Sequence, residues 1–342
     1  MPAKLRVAVV GAGQAFAPHL SSIRDLAGEL ELVRVVTRSA GRLAGLQLPE
    51  GTATSTRLED ILEDSTIAAV LVLTPPNTHL EIVERLARAG KHVLVEKPLD
   101  VSLDKAEALV QVCEDSGVKL AVMLQHRMRD ASLALARLIR EGALGELLSA
   151  SASIRWWRPQ SYYDEPGRGT LARDGGGVLM TQAIHTLDLL LSFTGLPERV
   201  MAMAGTSSLH QMECEDTVAA VLHYANGAIA SIDATTAAWP GFPEYIALNF
   251  ECGSATLEAG ELRAELTNGR SIQAGSKQAT GSGANPMAFD HAFHRAVLQD
   301  FGAAIRKQTE PAITGRSALQ VQRLIAAIME SSALGAAVSL QG

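Results

Sequence analysis

The first 124 residues alternate short apolar, β-branched runs with segments of helical length. This alternation is typical of βαβ units that wind around a parallel sheet. Gly90 and Gly117 follow two of the helical segments, as glycine does at helix ends. Thr78 and Glu81 have the spacing of a capping box. The pattern predicts a doubly wound α/β domain over residues 1–124, with strands at 5–10, 32–36, 67–73, 92–95 and 119–124.

A glycine turn directly follows the first predicted strand and opens a helix, as in dinucleotide-binding folds. Gly11 permits the tight turn, and Gly13 lets the backbone approach a pyrophosphate that the helix N-terminus attracts. Phe16 replaces the third glycine of the usual fingerprint, which serves helix packing. We therefore expect a Rossmann domain in which the turn contacts the cofactor through Gly11, Gly13, Gln14, Ala15 and Phe16.

The second predicted strand ends at Thr37, Arg38 and Ser39, where NAD-binding folds usually carry a carboxylate for the ribose hydroxyls. A guanidinium between two hydroxyls suits a 2′-phosphate, because it offers positive charge and fork-shaped donors. The alternative is an ordinary exposed arginine in a loop. The three residues therefore predict a preference for NADP, with NAD as the other option.

After residue 124 the pattern changes to longer strand-like segments. The pair Asn226-Gly227 between two of them is a strong hairpin signal. We expect residues 125–342 to form an α+β domain with a large, mainly antiparallel open-faced sheet. Its predicted strands are 147–156, 199–206, 217–224, 228–235, 245–250 and 255–258, its helices are 130–141, 177–193, 290–307 and 317–332, and a flexible loop covers 274–285.

Two motifs follow neighbouring predicted strands, Thr74-Pro75-Pro76-Asn77-Thr78-His79 and Glu96-Lys97-Pro98-Leu99. With the segments at 175–188 and 311–316, they make the chain resemble the glucose-fructose oxidoreductase, inositol dehydrogenase and rhizopine-catabolism (Gfo/Idh/MocA) family over essentially its whole length. The resemblance implies a Rossmann domain for the cofactor and a sheet domain for the substrate, commonly a sugar or cyclic polyol. We accordingly expect further cofactor contacts from Thr74, Pro75, Asn77, His79, Glu96 and Lys97.

Lys97 stands just past the carboxyl end of a predicted parallel strand, where ligands of open α/β sheets bind. Its ammonium group can donate a hydrogen bond to the reacting oxygen, which favours alkoxide character as hydride leaves and polarises the carbonyl in the reverse direction. The alternative is a surface lysine in a loop. Lys97 is therefore one of two predicted catalytic residues, and we also expect it to contact substrate.

His185 is the second predicted catalytic residue. On a regular helix Thr181, His185 and Asp188 share one face. Histidine suits proton exchange near neutral pH, and the resemblance places the usual acid/base of the family at this position. Many sugar dehydrogenases of the family carry Asp where this chain has Thr181, whose hydroxyl can bond a substrate but carries no charge. Asp188 either orients His185 or is structural.

Further substrate contacts are predicted from Arg127, Trp156, Tyr162, Arg168 and Gln182. Aromatic faces suit sugar stacking, and arginine suits a carboxylate or phosphate. A subunit interface or a sheet edge would explain the aromatic residues equally well.

Composition excludes several classes. The net charge of −7 does not favour nucleic acid as a partner. The three cysteines form no CxxC pair and indicate a reducing compartment. The first apolar run is too short for a signal peptide or membrane span, so we expect a cytoplasmic protein. Neither the 213–216 segment nor Asp290, His291 and His294 has a recognised ligand spacing, so no metal is predicted.

These features predict an NADP-preferring dehydrogenase that acts on a sugar, sugar acid or related cyclic alcohol. Two alternatives stay open: a non-enzymatic sensor of NADP and a sugar, and an enzyme that recycles a tightly bound NAD within one turnover. Lys97 and His185 argue against the sensor. The resemblance implies a homodimer or homotetramer formed through the exposed sheet.

Overall fold

The computed structural model of the protein describes residues 3–43, 45–277 and 290–340. Two compact units are present. The first comprises the described residues up to Gln125 and the segment Asp290–Leu319, and the second comprises those from His126 to Lys277 and from Gln320 onward. The predicted boundary after residue 124 lies one residue from the observed one. The segment 290–319 differs from the prediction, because it returns to the first unit.

The first unit contains a parallel sheet. Within the described residues its strands are β1 (Leu5–Val10), β2 (Leu30–Val36), β3 (Ala53–Ser55), β4 (Ala69–Val72), β5 (His92–Val95) and β6 (Leu120–Val122). Their order is β3-β2-β1-β4-β5-β6, and every neighbouring pair is parallel. This is the predicted Rossmann arrangement, whose strand order reverses between β1 and β4.

The second unit contains a larger, mainly antiparallel sheet. Its strands in the described part of the chain are β7 (Leu147–Arg155), β8 (Arg199–Gly205), β9 (Thr217–His223), β10 (Ile229–Thr235), β11 (Tyr245–Phe250), β12 (Gly253–Glu258), β13 (Glu261–Leu266), β14 (Ser271–Gly275) and β15 (Val338–Ser339). Their order is β14-β13-β12-β11-β7-β10-β9-β8-β15. β7 and β10 run parallel, and the other described pairs run antiparallel. The turn at Gly227 has φ 87° and joins β9 to β10, which confirms the predicted hairpin.

In the first unit the helices alternate with the strands along the chain. In the second unit α6 and α9 pack against the sheet. Those described are α1 (Phe16–Asp25), α2 (Ala40–Leu43), α3 (Glu59–Leu62), α4 (His79–Arg88), α5 (Leu103–Asp115), α6 (Asp130–Arg140), α7 (Gln160–Tyr163), α8 (Leu171–Asp174), α9 (Ile184–Thr194), α10 (Ala292–Lys307) and α11 (Gly315–Leu334). Short 3-10 turns cover Pro76–Thr78 and Gln125–Met128, and a π-helical turn over Leu179–Ala183 precedes α9. None of these helices is long and apolar enough to span a bilayer.

Two local predictions can be compared with the helix ends. Gly90 and Gly117 have φ of 72° and 65°, as expected for glycines that end helices. The capping box at Thr78 is wrong, because its side chain makes no cap and instead bonds the Thr74 hydroxyl at 2.8 Å. The Asp100 carboxylate accepts from the backbone N–H of Leu80 at 3.0 Å and satisfies that end of α4.

Among the described residues, helices pack against one face of the second sheet. Helix α6 contacts β12, β13 and β14, and α9 contacts β7. Side chains on β8, β9 and β10 alternate between buried and exposed along each strand, so one face is solvated. Part of the predicted 274–285 loop, residues 278–285, lies outside the described residues.

Candidate functional site

The first part of the candidate site is the glycine turn at the carboxyl end of β1. Gly11 has φ 101°, and a Cβ there would lie 2.8 Å from the backbone carbonyl of Leu73. Only glycine fits this close approach of β1 to the end of β4. Among the described residues, a Cβ at Gly13 would meet only the Arg42 guanidinium, at 3.8 Å. A ligand can therefore approach the protein backbone at Gly13. Gln14 is exposed, whereas Phe16 is buried at the start of α1.

Two arginines border this turn. Arg38 is exposed with Ser39 just past the end of β2, and Thr37 is half-buried with its N–H bonded to Ser55 at 3.1 Å. Arg42 lies in α2, four residues further along, and sequence analysis did not select it. The available signal was a second arginine only four residues after Arg38 in the sequence. Of the two arginines, Arg42 is the one whose guanidinium lies near Gly13.

His79 fastens the loop after β4 to the turn after β5. Its Nε2 lies 2.8 Å from the Thr74 carbonyl oxygen, and its Nδ1 lies 3.1 Å from those of Pro98 and Leu99. The ring is fully buried, and burial lowers the pKa of His79. His79 thus positions the loop, while Pro75 and Asn77 in the same motif are exposed.

Glu96 and Lys97 directly follow β5. The Glu96 carboxylate accepts from His19 Nε2 at 2.7 Å and from the Lys97 backbone N–H at 3.2 Å. Burial alone would raise the pKa of Glu96, but the His19 hydrogen bond and the nearby cationic groups lower it to about 2. An ionised carboxylate therefore fixes the backbone from which the Lys97 side chain extends.

His294 completes a buried cluster with His19 and Glu96. The potential ligand atoms of the three lie within 4.8 Å of one another, a proximity that the sequence spacing did not predict. The His19–Glu96 distance of 2.7 Å is that of a hydrogen bond, whereas two ligands of one tetrahedral zinc ion would lie about 3.4 Å apart. Burial lowers the pKa of His294 to about 4. We interpret the cluster as a hydrogen-bonded acid–histidine pair packed against a neutral histidine.

In the second unit, the segment that leads through the π-helical turn to α9 and His185 starts at a close backbone contact. A Cβ at Gly177 would lie 1.7 Å from the Glu215 carbonyl oxygen. The Glu215 carboxylate accepts from the N–H groups of Gly177 at 3.0 Å and Leu179 at 3.1 Å. Glu215, which lies in the 213–216 segment without a recognised ligand spacing, is therefore buried and caps the start of this segment.

The single regular helix predicted over 177–193 is corrected by the π-helical turn, which holds Thr181. The Thr181 hydroxyl lies 2.7 Å from the Gly177 carbonyl oxygen and also contacts the Gln182 side chain. His185 and Asp188 lie in α9 and are buried. The two carboxylate oxygens of Asp188 lie 2.5 and 2.7 Å from the Arg127 guanidinium, so Asp188 is held in an ion pair. Burial raises the pKa of Asp188, against the lowering effect of Arg127.

An aromatic and cationic network adjoins the same helix. The Tyr162 hydroxyl accepts from Arg168 at 2.9 Å and from Gln182 at 3.3 Å, and the Arg168 guanidinium carbon lies 4.4 Å from the Tyr162 ring centroid. Trp156 is only 6% exposed, and the Arg158 guanidinium lies 5.3 Å from its ring. The structure thus joins Tyr162, Arg168 and Gln182, whereas Trp156 is packed in the core.

Comparison with known proteins gives matches along most of the chain. Residues 5–124 match the model described as "Oxidoreductase family, NAD-binding Rossmann fold", and residues 132–256 match "GFO/IDH/MocA C-terminal domain". An uncharacterized oxidoreductase of Schizosaccharomyces pombe is 29% identical over 64% of this chain, and the match spans only 60% of that protein. The D-xylose 1-dehydrogenase (NADP(+)) 2 of Haloferax volcanii is 27% identical, with 92% of this chain and 93% of that protein covered.

A solved structure is similar over nearly the full length. The WlbA dehydrogenase from Bordetella pertussis, in complex with NADH and UDP-GlcNAcA, superposes with a TM-score of 0.84. It is 27% identical, and the alignment covers 99% of this chain and 100% of that one.

Proposed function

The chain belongs to the Gfo/Idh/MocA oxidoreductase family, and on that premise we propose that it is an NAD(P)-dependent dehydrogenase acting on a CH–OH group of a sugar, sugar acid or related cyclic alcohol. The observation that carries the proposal is the position of Lys97. It follows β5 at the carboxyl edge of a parallel sheet, one strand from the reversal of strand order where such folds bind ligands.

The glycine turn fits a dinucleotide. The open space over Gly13 and the N-terminus of α1 suit a pyrophosphate, which a side chain at residue 13 would obstruct. Gln14, Ala15, Thr74, Pro75 and Asn77 would line the same edge. When bound, the nicotinamide ring accepts or returns the hydride.

Lys97 and His185 would act on the substrate hydroxyl group in two different ways. Lys97 would donate a hydrogen bond to the substrate oxygen and stabilise its developing negative charge. His185 would take the hydroxyl proton on oxidation and return it on reduction. Tyr162, Arg168 and Gln182 would contact the sugar hydroxyl or acid groups, and Arg127 would act through its ion pair with Asp188.

The names of relatives support the substrate class. The Haloferax volcanii relative is a xylose dehydrogenase, and the Bordetella pertussis dehydrogenase was solved with UDP-GlcNAcA. A panel of sugars, sugar acids, nucleotide sugars and cyclic diols, followed by nicotinamide absorbance with NADP and NAD, tests this proposal. We expect turnover on at least one class, and none across the panel would contradict the function.

The catalytic assignment is tested by Lys97→Met and His185→Ala. Each should lower kcat by about a hundredfold or more, because each removes a group that acts on the reacting oxygen or its proton. Cofactor affinity should stay near the wild-type value. The matched controls are Lys105→Met and His223→Ala, which change less buried residues of the same type in the same units. Near-wild-type turnover in either test variant would exclude the assigned role.

We also propose that NADP is preferred over NAD, because Arg38 lies just past β2, the Arg42 guanidinium lies near Gly13, and no carboxylate directly follows β2. Family relatives divide on this point, since one name specifies NADP(+) and one structure holds NADH. Arg38→Ala should weaken NADP binding by tenfold to about a hundredfold, as expected for one charge-assisted contact, and NAD binding much less. Calorimetric titration with both nucleotides decides this, with the exposed Arg57→Ala as control. Equal losses for both nucleotides would remove the assignment.

A further inference from the structure

His126 lies against the predicted proton-exchanging residue. It occupies the 3-10 turn Gln125–Met128, and its ring is nearly parallel to that of His185, at 28° with the centroids 4.8 Å apart. Both side chains are buried, at 5% and 9% exposure. Stacking at this distance restricts the ring of His185 from one side.

Arg129 determines which nitrogen of His126 carries the hydrogen. Its Nη2 lies 2.8 Å from His126 Nε2. A guanidinium has only N–H donors, so His126 Nε2 must accept, and the ring hydrogen must be on Nδ1. A second proton on Nε2 would place two N–H groups against each other. The contact therefore keeps His126 neutral.

Arg129 is itself held by a buried carboxylate. Its Nη1 donates to Glu244 at 2.6 Å, and the two side chains are 12% and 6% exposed. A second ion pair joins Arg127, in the same 3-10 turn as His126, to Asp188, three residues after His185 in α9. Both arginines are thus paired with a carboxylate.

We propose that His126 is a positioning residue for His185, kept as the neutral Nδ1–H tautomer by Arg129. A neutral ring can support an imidazolium formed on His185 during turnover, because a cation is attracted to an aromatic face. A second imidazolium would repel it. The role of His185 in this step rests on the proposed function, but the stacking and the tautomer do not.

The first test is spectroscopic and needs no substrate. Long-range proton–nitrogen spectra of the full chain with ¹⁵N-labelled histidine report the tautomer of each ring. We expect His126 as Nδ1–H at neutral pH, and loss of that single tautomer in Arg129→Met. An Nε2–H or charged His126 in the wild type would overturn the proposal, whether or not the protein is a dehydrogenase.

The second test separates ring support from simple destabilisation. His126→Ala should shift the ring-proton resonances of His185 and lower kcat by about tenfold, with KM nearly unchanged, since small displacements of an acting group are costly. His126→Phe keeps a flat ring and should restore most of both readouts. The control is His223→Ala, on β9 of the same unit. An unchanged His185 spectrum in His126→Ala, or no rescue by Phe, would overturn the positioning role.

Discussion

At the scale of the residue, buried charged groups in this protein are stabilised by partners that are distant in the sequence. Glu96 is held by His19, Asp188 by Arg127 and Glu244 by Arg129. An unpaired buried charge is costly, so each of these contacts fixes a backbone segment as well as a side chain. Removal of one partner should therefore cost more than the contact itself contributes.

The buried His294 predicts a pH dependence of stability. Burial lowers the pKa of His294 to about 4 from 6.5, so the unfolded chain binds a proton between these values that the folded chain does not. The free energy of unfolding is therefore highest above pH 6.5. It falls by about 3 kcal/mol as the pH is lowered from 6.5 to 4, because protonation favours the unfolded chain. In His294→Gln this fall should be much smaller.

Denaturant unfolding at several pH values between 7 and 4.5 measures the effect. His223→Gln is the control, because His223 on β9 is a more exposed histidine in the second unit, outside the His294 cluster. Its free energy of unfolding should follow the wild-type pH profile. Parallel profiles for the wild type and His294→Gln would show that another group causes the decline.

Residue-level prediction from sequence succeeded where a local motif carries the geometry. The φ of Gly11 follows from the turn that joins a strand to a helix in a dinucleotide fold. Arg129 and Glu244 carry no such signal, because their contact joins segments 115 residues apart in the chain. Trp156 was chosen for its aromatic character, but its burial depends on packing that a local pattern does not encode.

At the scale of the element, the segment from Gly177 to α9 departs from a regular helix. Glu215 occupies the space beside Gly177, and the chain continues as a π-helical turn before α9 begins. The position of His185 therefore depends on a close backbone contact at the start of the segment. π-helical turns are frequent at functional sites.

Gly177→Ala should displace this segment. The added Cβ would lie 1.7 Å from the Glu215 backbone oxygen, so the backbone at Glu215 or at Gly177 must move, at a cost of about 3 kcal/mol. We expect a lower thermal midpoint and a large loss of turnover. Gly205→Ala is the control, since a Cβ there would meet no heavy atom within 4 Å. Equal midpoints for the two variants, measured by calorimetry, would mean that the contact can relax.

Element prediction depended on the strength of the hydrophobic pattern. The core strand β1 was predicted with its observed bounds, because its residues are apolar and nearly all buried. β13 and β14 were missed, since charged and small residues interrupt their alternation. The π-helical turn was missed because it follows from the Gly177–Glu215 contact, whose partners are 38 residues apart.

At the scale of the whole molecule, the solvated face of the large sheet carries several exposed apolar side chains. Met203 is 80% exposed on β8, and Val221 and Ile229 are exposed on β9 and β10. Contiguous apolar surface of this kind marks interaction sites. We propose that this face joins copies of the chain into a homodimer or homotetramer.

Met203→Glu should weaken that association, because it places a charge in a dehydrated interface. Light scattering coupled to size-exclusion chromatography should give the wild type a mass of two or four times 36.2 kDa. The variant should have a smaller mass. Leu171→Glu changes a leucine that is 57% exposed on α8, outside the strands of the sheet, and should leave the mass unchanged. A monomeric wild type would exclude the interface.

The return of Asp290–Leu319 to the first unit has a consequence for biosynthesis. Domains generally fold in the order in which the ribosome releases them, starting at the N-terminus. Here α10 packs against α1 and β5, so the nucleotide-binding unit lacks one of its helices until most of the chain has been translated. A nascent chain stalled after residue 125 should therefore expose part of its apolar core to chaperones, and strands β7 to β14 of the second sheet can form before the first unit is complete.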